Sequence, residues 1–145
     1  MIRKIEAKDK NEYLQMATDF YHSGAVIAPV GIENIEATFN EMISSDRYVD
    51  GYFIEHEGKT AGFGLLAKTF SQESGGIVVW IEELFIKPEY RSHGLGAEFF
   101  DFLNEQYKNA SRFRLETEPD NTRAIALYKR LGFEPFEYIQ FKKGK

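Results

Sequence analysis

Residues 91–96 read Arg-Ser-His-Gly-Leu-Gly and lie between an apolar run that starts at Ile77 and a segment with helical periodicity. Such a run suits a buried strand, and Pro88, which has no N–H to give a ladder, ends it. A strand, a glycine-bearing turn and a helix start leave backbone N–H groups free, and the helix dipole adds positive charge there. Gly94 and Gly96 let a ligand approach the backbone closely. This spacing suits a diphosphate cradle. The stretch is not a P-loop, since no Gly-Lys-Ser/Thr follows. Its glycine order also differs from the Gly-x-Gly-x-x-Gly dinucleotide fingerprint.

Glu82 and Glu83 interrupt the apolar run just before this turn. Alternation along a strand puts them on opposite faces, so one is expected in a cleft and the other against a partner group or solvent. Charge inside a central strand is costly unless it is paired or used. The three histidines are scattered without metal-ligand spacing, and no metal is expected. There is no cysteine, which removes disulfides, a thiolate nucleophile and thiol-rich zinc sites. A net charge of −5 argues against a nucleic-acid backbone as partner. No run of 18 apolar residues suggests a membrane span, and no signal-peptide pattern opens the chain. A cytoplasmic protein is the expectation.

The order Leu84-x-Ile86-x-Pro88-x-Tyr90-Arg91-x-x-Gly94-x-Gly96 resembles the signature of the GNAT superfamily of N-acetyltransferases. A second block agrees with it: Asn121, Ala124, Tyr128 and Gly132-Phe133 resemble the superfamily's second cofactor segment. The two blocks stand in the family's order and separation, and the likeness covers about residues 50–143. Ser92-His93 departs from the pattern, which often has a glycine followed by a basic or polar residue.

The resemblance implies acetyl-CoA as cosubstrate, a primary amine as acceptor and direct transfer in a ternary complex. Leu84, Phe85 and Ile86 would bind the cofactor arm, and one of their N–H groups would serve the oxyanion. Arg91, Ser92, His93, Gly94, Leu95, Gly96 and Ala97 would hold the diphosphate. Asn121 would touch the arm while capping its helix. Lys129 or Arg130 could reach the ribose phosphate. Tyr128 would be the general acid toward the departing sulfur. An alkyl ammonium, with a pKa near ~10.4, must lose its proton before it attacks. Glu82 or Glu83 would take that proton, and Glu82 is favoured because relatives acting on small diamines and lysine-like amines carry a similar pair. A small amine or polyamine is the leading acceptor, with a protein N-terminus or lysine as alternative. A CoA-binding sensor or structural module without turnover remains a reading of another class. Dimers are frequent among relatives, so a homodimer is expected.

The elements that must position these groups follow from periodicity. A length of 145 residues suits one domain over 1–145, and 43% hydrophobic residues suffice for a core. Helices are expected at 10–21 and 32–44, the first capped by Asp9, with Tyr13, Leu14, Ala17, Phe20 and Tyr21 on one stripe and Ile32, Ile35, Phe39, Met42 and Ile43 on the other. A loop over 24–31 joins them. Glu33, Glu36 and Glu41 fall off the second stripe, on a solvated face; the resemblance puts the acceptor side at these two helices, where the same acids could attract a cationic amine. Strands are expected at 1–6, 51–56, 60–70, 77–86, 112–116 and 133–142, and further helices at 94–108 and 121–131. Gly62 and Gly64 within a strand mark a bulge or a close approach. The fold class is α/β (α+β): a GNAT-like acyl-CoA N-acyltransferase fold, with a mostly antiparallel mixed sheet flanked by helices.

Overall fold

Apolar alternation between residues 49 and 86 folds as the middle of one five-stranded sheet. In the computed structural model residues 1–24 and 28–145 are described; part of the loop expected over 24–31 thus lies outside the described residues. The strands are β1 (Ile2–Lys4), β2 (Val49–His56), β3 (Lys59–Ser71), β4 (Gly76–Ile86) and β5 (Arg112–Leu115). Their spatial order follows the chain, β1-β2-β3-β4-β5. All neighbours are antiparallel except β4 and β5, which run parallel through a helical crossover. The β2–β3 connection is the two residues Glu57-Gly58, at φ 51° and 75°. Two positive φ values match the right-handed strand twist in a tight hairpin.

Helices α1 (Lys10–Tyr21) and α2 (Ile32–Ser44) cover one face. Tyr13, Met16, Ala17, Phe20, Ile35, Phe39 and Met42 bury against Phe53, Phe63, Leu65 and Phe85. Ile32 and Ile43, expected on the α2 stripe, are instead 51% and 39% exposed. Asp9 does stand at the α1 N-cap, but its side chain caps nothing in α1. Its carboxylate takes Arg3 Nη1 at 2.8 Å and the Glu6 N–H at 2.8 Å, tying β1 to the helix start.

Helices α3 (Leu95–Gln106) and α4 (Thr122–Arg130) lie on the other face. Leu95, Phe99, Phe100 and Leu103 pack on Tyr52, Ile54, Leu66, Val79 and Ile81. Gly64 makes room for this: a Cβ there would stand 2.1 Å from Phe99 Cζ. The close approach expected at the paired glycines is made by the chain itself. Beneath α3, buried Asp50 accepts from Tyr107 Oη at 2.6 Å and faces Lys68 Nζ at 2.7 Å. Burial opposes its ionisation, but those two partners outweigh burial and hold the carboxyl below its usual range.

Two features of the β4–β5 side bear on ligand binding. Leu65 pairs Glu83 while Leu66 pairs Ile81, so Glu82 is the extra residue of a β-bulge. A bulge bends and twists its strand. The β4–β5 ladder ends at the same level, with Ile81 opposite Leu115, while β4 runs on to Ile86. The strand expected over 133–142 is not formed: residues 133–145 have no strand partner among the described residues. The alternation of Phe136 and Tyr138 is real, but a strand needs a neighbouring backbone, and these side chains meet side chains. The Phe136 ring lies over the Arg112 and Arg114 guanidinium groups, and Tyr138 Oη donates to Glu73.

Candidate active site

Beyond Ile81 and Leu115 the two parallel strands part, and a cleft of about 810 Å³ opens there. Leu84, Phe85 and Ile86 form one wall, and on that side the outward N–H and C=O groups of β4 meet no strand among the described residues. Arg91, Ser92, Gly94, Leu95, Gly96 and Ala97 form the floor, and Asn121, Tyr128 and Arg130 stand opposite. His93 does not line the cleft. Its Nδ1 folds back onto the carbonyls of Tyr90 and Arg91, at 3.1 and 2.9 Å. Lys129 is not in the lining either.

The floor is a helix start with open backbone. Gly94 is the α3 N-cap at φ 74° and puts no side chain on the first turn. None of the N–H groups from Ser92 to Ala97 donates to another described residue. Free amides at a helix start are a ready anion site. Ser92 holds φ 66°, a left-handed value that favours glycine. Arg91 Nε donates to the Ile86 carbonyl at 3.1 Å, which fixes the guanidinium at the β4 end of the floor.

Asn121 Oδ1 accepts the Ala124 N–H at 3.3 Å, a cap for α4, from a place on the cleft wall. Tyr128 packs edge-on against Phe100 and Phe133, and its hydroxyl bonds to no described residue. Burial lifts its pKa above the usual phenol value, so it stays protonated at neutral pH.

The two glutamates differ sharply. Glu83 is 7% exposed and points toward α1, where Tyr21 Oη donates to its Oε1. Its Oε2 is buried with no partner among the described residues. Burial pushes the carboxyl up to about 7; the Tyr21 bond works against this and the Glu82 charge adds to it. Glu82, in the bulge, is exposed, yet lost hydration and then the Glu116 charge raise its carboxyl too. Neither is in the cleft lining, but Phe20 and Phe85, which are, belong to the cluster into which Glu83 points. Tyr21 escaped sequence reasoning as a site residue, because its stripe position marked it only as core. Glu118, Asp120 and Arg123 also line the cleft and carried no distinguishing spacing.

Residues 11–133 match the model of the acetyltransferase (GNAT) family. A pig (Sus scrofa) thialysine N-epsilon-acetyltransferase is 36% identical over 73 residues, which is 49% of this chain and 42% of that protein. A spermine/spermidine N(1)-acetyltransferase of Bacillus subtilis is 32% identical over 85 residues, 54% of this chain and 55% of that protein. The chain thus spans about half the length of these curated relatives. Among solved structures, AAC(6')-Iy in complex with a CoA-linked bisubstrate analogue superposes with a TM-score of 0.81 at 17% identity, over 100% of this chain and 97% of that one. A ribosomal-protein-alanine N-acetyltransferase from Brucella melitensis gives 0.76 at 12% identity, over 100% and 99%. At such identities the structures speak for the fold alone, and the fold agrees with the match over residues 11–133. This chain belongs to the GNAT family of acetyltransferases.

Proposed function

We propose that this protein is an acetyl-CoA-dependent N-acetyltransferase that passes acetyl directly to the primary amine of a small, polyamine-like acceptor. The observation that carries the reading is the cleft itself. One continuous surface offers five amides at a helix start that donate to no described residue, the open outer edge of β4 and a tyrosine hydroxyl without a partner among the described residues. The pantetheine arm of acetyl-CoA is peptide-like and suits the edge of β4 much as an added strand would. Its diphosphate suits the amides of residues 92–97, and Arg91 and Arg130 add charge.

The chemistry is divided among the chain's own groups. We assign the base to Glu83 in preference to Glu82, because a carboxyl poised about 7 serves general-base catalysis near neutral pH. Its unpartnered Oε2 is the acceptor atom. The ammonium proton goes to Glu83, directly or through water; the neutral amine adds to the thioester carbonyl; the C–S bond breaks with its electron pair leaving on sulfur, and the proton still on the acylated nitrogen passes to that thiolate, giving the amide and free CoA thiol. An N–H of the Leu84–Ile86 edge faces the oxyanion. Tyr128 donates to the leaving sulfur. A thiol has a reference pKa of ~8.5, below the raised phenol, so the hydroxyl stabilises the thiolate more than it surrenders its proton.

Glu82, Glu83 and Glu116 give this end of the splay an acidic character that draws cations. The thialysine and spermine/spermidine enzymes named above act on alkyl amines, which supports the same acceptor class. We also propose a cytoplasmic location, with which a cysteine-free chain is compatible, and a homodimeric assembly. The test is a CoA and acetyl-CoA titration followed by thiol release over an amine panel. Release with polyamines or lysine-like amines supports the reading. Release only with peptides moves the acceptor to proteins. CoA binding with no release from any acceptor leaves a binding module. No affinity for either form of CoA ends the reading.

A further inference from the structure

His56, at the end of β2, and His93, in the turn before α3, are remote in sequence and meet in the fold. Their ring centres stand 4.9 Å apart, with the ring planes inclined at 52°. The sheet accounts for the meeting. Alternation along β2 puts Tyr52, Ile54 and His56 on one side, and Tyr52 and Ile54 pack under α3. His56 extends that row to the end where α3 begins, and the turn that leads into Gly94 brings His93 to the same place.

Both rings are held from behind. His93 Nδ1 lies 2.9 Å from the Arg91 carbonyl and 3.1 Å from that of Tyr90. A carbonyl only accepts, so Nδ1 carries the hydrogen and Nε2 of the neutral ring keeps its lone pair. A backbone carbonyl on the other ring nitrogen is how metal-binding histidines are oriented. The Tyr90 ring stands edge-on to His56, with 6.1 Å between centres. Neither nitrogen of His56 bonds to a described residue, and nor does Nε2 of His93. The separation suits a shared ion. With metal–nitrogen bonds of about 2.0–2.1 Å and a tetrahedral angle, two imidazoles on one zinc have ring centres about 5 Å apart.

We propose that His56 and His93 form a two-imidazole site for a divalent transition cation of the zinc, nickel or copper class, which ties the turn before α3 to the end of β2. Imidazole nitrogen suits these ions, whereas magnesium and calcium take oxygen ligands. Among the described residues no group of three histidine, cysteine, aspartate or glutamate side chains is placed to hold a metal. Water therefore completes the coordination, and the site exchanges its ion instead of serving as a closed structural centre. Glu55, beside His56 in the chain, is engaged by Arg3 Nε at 2.8 Å. Lys59, opposite His56 across the hairpin, is exposed and is the like charge that the ion meets. Neither histidine lines the cleft, so the site stands behind the cradle turn and the inference does not rest on acetyl transfer.

A zinc titration of the untagged chain, read by the imidazole C–H signals in NMR, tests it. The chain has three histidines, and His22, exposed just past α1, is the internal control. The signals of His56 and His93 are expected to move together and saturate at one zinc per chain. His22 should stay in place, and magnesium at the same concentration should move none of them. His56→Phe keeps a ring against Tyr90 and is expected to weaken zinc binding at His93 by on the order of ten-fold or more. Silence of both signals at millimolar zinc overturns the proposal. So does a response from one of the two alone, from His22 in step with them, or from magnesium equally. A His56→Phe chain that keeps the wild-type affinity overturns it as well. The wild-type titration needs no variant, so a poorly folding His56→Phe does not shield the proposal.

Discussion

Glu83→Gln separates the cost of burying a charge from everything else that the site does. In the wild type the Glu83 carboxyl stands at about 7, against 4.5 for the free group. The folded state thus holds its proton more tightly than the unfolded one. Below pH 4.5 both states are protonated and no penalty exists. From pH 4.5 upward the unfolded chain ionises first, so stability falls with rising pH until the folded carboxyl also ionises near 7. At roughly 1.4 kcal/mol per pH unit, the loss between pH 5 and pH 8 is about 3 kcal/mol. A glutamine carries no such penalty and still offers an oxygen to Tyr21. Its amide N–H groups, buried where Oε2 has no partner, cost about 1–3 kcal/mol at every pH. The difference in unfolding free energy, variant minus wild type, should therefore rise by about 3 kcal/mol from pH 5 to pH 8, whatever its absolute value. Urea unfolding at half-unit pH steps measures it without any substrate. A flat difference across that range refutes the idea that Glu83 is desolvated in the folded state, and with it the base assignment.

Tyr128→Phe should lower kcat ten-fold or more while CoA affinity, read by titration, stays unchanged; an unaltered kcat removes the hydroxyl from the leaving-group role. Tyr21→Phe deletes the one bond that lowers the Glu83 pKa, so the acidic limb of the pH–rate profile should move up by on the order of one pH unit; a downward move contradicts the geometry. Gly64→Ala forces a methyl into Phe99 and should cost about 1–3 kcal/mol of stability in urea; a neutral effect means that α3 does not pack this closely on the sheet.

The parts legible in the sequence were those set by local rules. Residues 10–21 and 32–44 are helical at the expected limits because their apolar stripes and their breakers lie within the same segment. The helix start at Gly94 was legible because proline, glycine and helix-start chemistry act within the nine residues 88–96, as was Gly132, which takes φ 91° after α4. What escaped depends on partners remote in sequence. Tyr21 meets Glu83 across 62 positions, and nothing near residue 21 announces it. The exposure of Ile32 is equally invisible, since its stripe position is right and burial is decided by what packs there. The segment over 133–142 has a sound strand pattern; whether a strand forms depends on whether backbone stands beside it.

The bulge at Glu82 connects these observations. Up to Ile81, the odd residues of β4, Val79 and Ile81, face α3. Strict alternation would send Glu83 and Phe85 the same way, into the α3 core. One extra residue reverses the parity, so Leu84 and Ile86 face α3 while Glu83 and Phe85 face α1. The same residue bends β4 at the level where β5 leaves it, and the edge of β4 is then free for a ligand. A single irregularity thus opens the cleft and turns a carboxylate from the α3 core toward the tyrosine at the end of α1. A bulge costs a ladder bond and leaves its residue unpaired, and here that residue is itself a glutamate whose charge raises its neighbour's pKa. Opening the cleft and raising the Glu83 carboxyl are, in this strand, consequences of one inserted residue.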